Sequence, residues 1–368
     1  MQAEDPRPVD AGPTESTSRR PVRWQAWLAS LRRMAVLGGL GGAAAIFLAV
    51  LAPRPWPLCL LTPFIPQWTL LAILLLIVGP RPTLARTVRG RAGLMVFVLA
   101  LAAVVLSQAV FGRRWAQWNA PVSSHMPTPR LRFLAANVHS SNADHASLLA
   151  LIALEKPDVI LLTEISGDWL RDLDRLRVDY PHRRVLSDDL GNFGMGFWSK
   201  VRITDGEFKL FKPADDVGLT DTPQLDATIE TEAGRVRVIG LHPLPPVRPG
   251  YAAARDAVLA GAGRSIADAP GDVPTVVLGD FNATRYCAGM RDLVEVAGLR
   301  DAVPRVKTTW PNTWSWPVMG IRIDHVLVSR HWVINDARVG PDIGSDHWPL
   351  IVSASLMPQP ATARAGMP

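Results

Sequence analysis

Acids, amides and imidazoles recur at the ends of short apolar runs in the C-terminal two thirds of this sequence. Asn137 and His139 close the run Leu131 to Val138. Glu164 ends Val159-Ile160-Leu161-Leu162-Thr163. His242 follows Val236 to Leu241, and Asp280 and Asn282 follow Thr275-Val276-Val277-Leu278-Gly279. Asp324 and His325 open the run from Ile323 to Val328, and Asp346 and His347 precede Trp348-Pro349-Leu350-Ile351-Val352. Such runs read as buried strands, and polar residues at strand ends on one rim of a sheet converge on one pocket. These residue types suit hydrolysis of a phosphate ester. A hard divalent cation takes oxygen ligands from Glu, Asp and Asn. A carboxylate or imidazole orients and deprotonates an attacking water. Charge developing around phosphorus is met by cation, amide and protonated imidazole. Plainer roles stand beside these: a turn after a strand for Asp280 and Asn282, a structural hydrogen-bonded pair for Asp346 and His347, loop-stabilising bonds for Asn137 and Asp324, and a solvated loop residue for His242.

The elements that position these residues follow from the apolar pattern. Asn142 or Asp144 caps a helix running to Glu155, with Leu148, Leu149 and Ile152 on one face and Pro157 beyond its end. Further strands are expected at 194–199, 225–231, 235–241, 274–279, 323–329 and 349–355, and helices at 251–267 and 289–297. Strands outnumber helices, and several lie close enough in sequence to be antiparallel. The expected class is α/β, a mixed β-sandwich flanked by helices rather than a regular βαβ repeat.

The N-terminal third has a different character. Three charge-free apolar runs, Met34 to Ala52, Leu58 to Val78 and Ala92 to Phe111, are each long enough to cross the hydrocarbon layer as a helix. Pro63, Pro66 and Gln67 make the second the one that could instead be partly re-entrant. Arg23 to Arg33, interleaved with Trp24, Trp27, Leu28 and Leu31, reads as an interfacial helix or as the flank of the first span. Arginines gather before the first run (Arg19, Arg20, Arg23, Arg32, Arg33) and between the second and third (Arg81, Arg86, Arg89, Arg91), with only Arg54 between the first and second. The positive-inside rule then puts the N-terminus in the cytoplasm and the C-terminal domain on the periplasmic or extracellular side of an inner or plasma membrane, although Arg113 and Arg114 pull the other way. The expected organisation is a disordered, basic segment 1–33, a three-helix transmembrane anchor 34–112, a linker 113–129 with Trp115 and Trp118, a catalytic domain 130–357 and a disordered tail 358–368.

Charge and cysteine usage narrow the functions. Residues 1–129 hold 13 basic against 4 acidic side chains, whereas 130–368 hold 26 against 29. The high isoelectric point thus belongs to the anchor. The mildly acidic C-terminal domain lacks the footprint of a protein that grips many nucleic-acid phosphates. Cys59 and Cys287 are the two cysteines, too few and too far apart in sequence to argue a disulfide framework or a thiolate metal site. The spans carry no buried charge that would mark a transport path.

Taken in order, Asn137-Val138-His139, Leu161-Leu162-Thr163-Glu164, Leu241-His242, Gly279-Asp280-Phe281-Asn282, Ile323-Asp324-His325 and Gly344-Ser345-Asp346-His347 resemble the motif series of the endonuclease/exonuclease/phosphatase family. The resemblance covers about Arg130 to Leu356. It implies a four-layer, deoxyribonuclease-like sandwich and a cofactor of Mg²⁺, with Mn²⁺ as the alternative. It implies Glu164 as principal metal ligand with Asn137 beside it, and Asp346 completing the metal or water network. Asp280 would activate water, Asn282 would bind phosphate and water, and His347 would contact the phosphate with Asp324 fixing its tautomer. His242 would serve as acid or phosphate ligand, but Leu241-His242-Pro243 departs from the family's usual Thr-His-Leu. The tyrosine of abasic-site enzymes has no match here. Arg255 is expected to be a buried ion-pair partner or to face the phosphate, and Trp310, Trp314 and Trp316 to line the substrate groove and set specificity or simply to pack their loop. The expected function is a membrane-tethered, metal-dependent phosphoester hydrolase acting on nucleic acid, a phospholipid head group or an inositol phosphate, with the lipid bilayer as its other partner and no protein partner inferable. A catalytically silent membrane receptor on the same fold is the alternative.

Overall fold

The computed structural model describes residues 23–78, 88–112, 121, 123, 130–189, 192–211, 221–269, 272–303, 307–312 and 320–357. The two tails, Arg19, Arg20, Arg81, Arg86, Arg113, Arg114, Trp115, Trp118, Trp314 and Trp316 lie outside these residues, as do the side chains of Arg23, Arg89 and Arg91.

The basic flank and the first apolar run form one helix, α1 (Arg23–Leu51). A 3-10 turn, Leu58–Phe64, leads into α2 (Ile65–Val78), and α3 covers Val88–Ser107. Three stretches, Ala26–Leu51, Leu58–Ile77 and Ala92–Val110, are long and apolar enough to cross a membrane. Small residues let them approach: a Cβ on Gly39 would stand 2.3 Å from Leu75 Cβ, and Ala43, Ile46, Ala72 and Ala103 bury together. Close contact of this kind is how helices associate where lipid removes the hydrophobic drive.

The rest of the chain folds around two six-stranded sheets. The first contains β1 (Arg130–Asn137), β2 (Val159–Thr163), β3 (His182–Leu186), β4 (Met195–Ser199), β11 (Trp332–Val339) and β12 (Leu350–Leu356), in the order β11-β12-β1-β2-β4-β3. The second contains β5 (Ile203–Phe211), β6 (Thr222–Thr231), β7 (Gly234–Leu241), β8 (Thr275–Asp280), β9 (Arg300–Asp301) and β10 (Asp324–Val328), in the order β5-β6-β7-β8-β10-β9. Each sheet has one parallel pair, β1/β2 and β7/β8, and antiparallel neighbours elsewhere.

Phe133, Leu161, Phe197, Leu225, Val238, Val276, Val326 and Val352 fill the space between the sheets. Alternate residues of the same strands point outward, as the period of two requires. There Leu134, Ile160 and Ile351 meet α4 (His145–Glu155) and α5 (Gly167–Leu173), while Ile239, Val277 and Leu327 meet α6 (Pro249–Ala267) and α7 (Ala288–Ala297). The result is the expected four-layer sandwich. Asp144 caps α4, its carboxylate accepting from Ser147 N at 3.1 Å, and the helix stops at Lys156, which is left-handed before Pro157.

The three apolar helices and the sandwich touch. Arg54 pairs with Asp292 (2.6 Å), and Trp56 Nε1 donates to the Pro246 carbonyl (3.3 Å). Gln67 Nε2 donates to the Gly320 carbonyl (3.2 Å). Tyr286 packs into a cluster with Ala49 and Ile65, joined by Val110. The two free cysteines meet across this surface, with Thr62 Oγ1 bonded to the Cys59 carbonyl (2.7 Å) and the Cys287 sulfur (3.5 Å). Contacts thus come from the end of the first apolar stretch, the turn after it, the start of the second and the end of the third. Pro121 and Ser123 cover the edge of β11 through Ile334, protecting a strand that would otherwise be open to pairing.

Candidate active site

Register brings the polar strand ends together. In the parallel pair β1/β2, Asn137 stands opposite Thr163, so Glu164 emerges beside Asn137. In the second sheet Asp324 stands opposite Asp280, and Gly240 opposite Leu278, so His242 and Asp280 leave adjacent strands at the same end. Gly279 permits this approach: it has φ +132°, and a Cβ there would lie 2.2 Å from the Leu241 carbonyl oxygen. Three non-glycine residues of the rim, His139 (φ 56°), Glu164 (φ 63°) and Asn282 (φ 46°), take the left-handed conformation. That region is costly for residues with a Cβ and concentrates where side chains are aimed at a site.

Asp280 Oδ2 is the hub. Asn137 Nδ2 approaches it at 3.2 Å, His242 Nε2 at 3.6 Å and His347 Nε2 at 3.7 Å. Its other oxygen accepts from the Asn282 backbone N–H (2.8 Å), and Asn282 Nδ2 donates to the Pro243 carbonyl (2.9 Å). Asn137 Nδ2 also donates to Glu164 Oε1 (2.8 Å), while the amide oxygen accepts from His139 N (3.0 Å). The amide therefore shows the carboxylates its nitrogen, and turning it over would set an NH₂ against an N–H. His347 Nδ1 donates to Asp324 Oδ2 at 2.9 Å.

Burial and neighbouring charge tune these groups. Burial lifts the carboxyls of Glu164 and Asp280 above their usual range. Burial works against a proton on His347, yet Asp324 and Asp280 outweigh it and hold the imidazole well above its ordinary value. His242 is pushed down by burial and stays neutral, and its buried Nδ1 has no hydrogen-bond partner among the described residues. Among the described residues, Asp280, Asp324 and His347 each offer a ligand atom within 4.8 Å of one another. Glu164 stands across Asn137 from that trio, and the half-buried Asp346 accepts from Trp310 Nε1 at 3.0 Å.

The eight residues expected to serve as catalytic groups or metal ligands, Asn137, Glu164, His242, Asp280, Asn282, Asp324, Asp346 and His347, thus line one rim. Ser345, inside the last motif, joins the site without any acid, amide or imidazole to mark it in the sequence. Its hydroxyl donates to the Asn137 carbonyl (2.8 Å) and accepts from His347 N (3.1 Å), tying the first and last motifs together at the site. Asn142 Nδ2 bonds the Ile343 carbonyl (2.9 Å), bracing the first loop against the last. Arg255 is buried and does not reach the pocket. It grips Asp256 and donates to the Asn282 carbonyl (3.2 Å). His325 turns away from the pocket and donates to the Ala283 carbonyl (2.8 Å).

The donor set fits a divalent cation. Three buried or half-buried carboxylates, Glu164, Asp280 and Asp324, face one protonated imidazole, His347. Uncompensated charge of that kind is expensive away from water, and a hard cation with oxygen ligands relieves it.

Comparison with solved structures finds the same fold in an endonuclease/exonuclease/phosphatase from Beutenbergia cavernae (20% identity, 62% of this chain and 72% of that one, TM-score 0.54). It also appears in an endonuclease/exonuclease/phosphatase from Bacteroides vulgatus (17%, 62% and 100%, TM-score 0.53). A third is TDP2 of D. rerio complexed with single strand DNA product (21%, 62% and 100%, TM-score 0.52). No curated protein sequence matches the chain. The endonuclease/exonuclease/phosphatase family model matches residues 117–347. That span takes in the six motifs and the rim they build, and the chain belongs to the endonuclease/exonuclease/phosphatase family.

Proposed function

We propose that this chain is a membrane-anchored hydrolase of phosphate esters that depends on a divalent cation, Mg²⁺ or Mn²⁺. The observation that carries the reading is the excess of carboxylate over positive charge in one buried pocket, arranged around Asp280 Oδ2.

Glu164 would hold the cation, next to Asp280, with Asp346 adding an oxygen from the rim. Asn137, whose nitrogen reaches both Glu164 and Asp280, sets the spacing of those carboxylates. When bound, the cation neutralises the acid cluster and polarises a phosphoryl oxygen. Asp280, made more basic by burial, takes the proton of the attacking water. The Asn282 side chain is steadied by the Pro243 carbonyl beside the base. Asp324 holds His347 in the tautomer and charge state that put an N–H on Nε2, aimed at the pocket. A protonated imidazole there stabilises charge growing on the phosphoryl oxygens. It has no lone pair to give a metal, so the trio of Asp280, Asp324 and His347 is better described as a hydrogen-bonding relay beside the cation than as its cage. Neutral His242 is placed to donate a hydrogen bond to a phosphoryl oxygen rather than to act as the acid, and the leaving oxygen takes its proton from water.

The arginine distribution favours a catalytic domain on the outer face of the membrane, and a three-span bundle is consistent with that topology. Turnover of bis-p-nitrophenyl phosphate by the full chain in detergent micelles tests the activity. Hydrolysis is expected with Mg²⁺ and is lost with EDTA or in Asp280→Ala. Equal turnover in either case would remove the assignment.

A further inference from the structure

The acid-rich pocket is tied to the anchor at three points. Pro246, bonded to Trp56, lies four residues after His242. Tyr286, packed on Ala49, Ile65 and Val110, lies four residues after Asn282. Gly320, bonded to Gln67, lies four residues before Asp324. Four residues reach at most about 14 Å when fully extended. Three residues of the pocket, at the ends of three separate strands, therefore stand within about that distance of residues that touch the anchor.

The helices give the height of those contacts. From Arg33, the last basic residue before the first apolar run, to Ala49 is sixteen residues, a rise of about 24 Å in a helix. The hydrocarbon layer is about 30 Å thick. Tyr286 thus packs close to the far hydrocarbon boundary, where the polar layer of the bilayer is only about 5–8 Å deep. Trp56, an aromatic at the level where such side chains settle, is 40% exposed, and Val247, next to Pro246, is 67% exposed. Pocket residues within about 14 Å of that level stand no further than about that distance beyond the hydrocarbon boundary. Their domain carries a slight excess of acid, which does not favour a long polyanion.

We propose that the substrate is a phosphate ester in the headgroup of a bilayer lipid, hydrolysed while its acyl chains remain in the membrane. This rests on the hydrolase reading above. A soluble ester offers the same phosphate chemistry, so the membrane placement is what separates the two: the docked anchor keeps the pocket at the local concentration of the headgroups.

The full chain is reconstituted with Mg²⁺ in phosphatidylcholine vesicles doped in turn with phosphatidic acid, phosphatidylglycerol, a phosphatidylinositol phosphate and sphingomyelin. Glycerol 3-phosphate, bis-p-nitrophenyl phosphate and plasmid DNA are the soluble arms. At least one vesicle lipid is expected to turn over roughly 10–100-fold faster than the soluble esters. The double variant Arg54→Glu, Trp56→Ala loosens the docking outside the pocket. It is expected to lose most of the lipid hydrolysis and to keep its rate on bis-p-nitrophenyl phosphate. Turnover of bis-p-nitrophenyl phosphate or DNA with none on any lipid overturns the lipid assignment and leaves the hydrolase standing. Failure on every substrate overturns both.

Discussion

Asp324 and His325 are neighbours on β10, yet they point into two buried polar clusters of opposite character. Asp324 faces the pocket, where Glu164, Asp280 and Asp324 outnumber the one cation, His347. His325 faces Asp301, a single buried carboxylate shared by Arg285 (2.8 Å) and Arg322. There burial lowers Arg322 to about 9 and Arg285 to about 10, and burial together with Arg322 pushes His325 well below the imidazole range. The second cluster carries its own positive charge and is framework. The first is short of positive charge and must take it from outside. Buried Asp and His thus serve structure or chemistry according to the local balance of charge.

The largest contrast lies in activity. Asp280→Asn is expected to cut turnover by roughly 10²–10⁴-fold, with no loss of thermal stability, because it removes a buried like charge. Asp301→Asn should do the reverse. Removing the carboxylate that two buried guanidiniums share is expected to cost about 3–5 kcal/mol, read by chemical denaturation, with unchanged metal dependence in the folded fraction. If Asp280→Asn unfolds the chain or Asp301→Asn leaves it stable, the two clusters are not different in kind.

Cation binding is the next effect in size. Mg²⁺ at about 100 times its dissociation constant should stabilise the wild type by about 2.7 kcal/mol. The same addition should do nothing for Glu164→Gln and should still stabilise Asp301→Asn.

The smallest effect sits outside both clusters. Burial opposes ionisation of Asp226, but paired hydrogen bonds from Arg237 (2.9 and 2.7 Å) overrule it and lower its pKa. Its contribution is complete above the unfolded carboxyl pKa and disappears as pH falls through the lower folded value. Asp226→Asn should therefore flatten the acid limb of stability by about 1 kcal/mol or less, since the pair is partly exposed. An unchanged acid limb would show that the pair contributes nothing.

Much of this was legible in the sequence because the central strands are buried on both faces. The runs Val159 to Thr163 and Thr275 to Leu278 are apolar apart from a terminal threonine and carry no competing period, so Glu164 and Asp280 stand out near their ends. The edges were not legible. β5 is mostly exposed, β3 is half-buried and β11 carries a bulge between Ile334 and Asp336; partners rather than local pattern make them strands. The seven-residue α5 is short and depends on the Ser166 cap. The Asp301 cluster was hidden because Arg285, Asp301 and Arg322 mark no strand end that the apolar pattern reveals. Neither periodicity nor hydropathy gives any sign that Tyr286 or Pro246 meets the apolar helices.

The central claim is that the acid-rich pocket, and not the Asp301 cluster, holds the cation. Electron paramagnetic resonance of Mn²⁺ added to the purified full chain reads this directly. A bound signal that Mg²⁺ displaces, absent in Glu164→Gln and retained in Asp301→Asn, is the expected result. Undiminished binding in Glu164→Gln, or none in the wild type, would contradict the account.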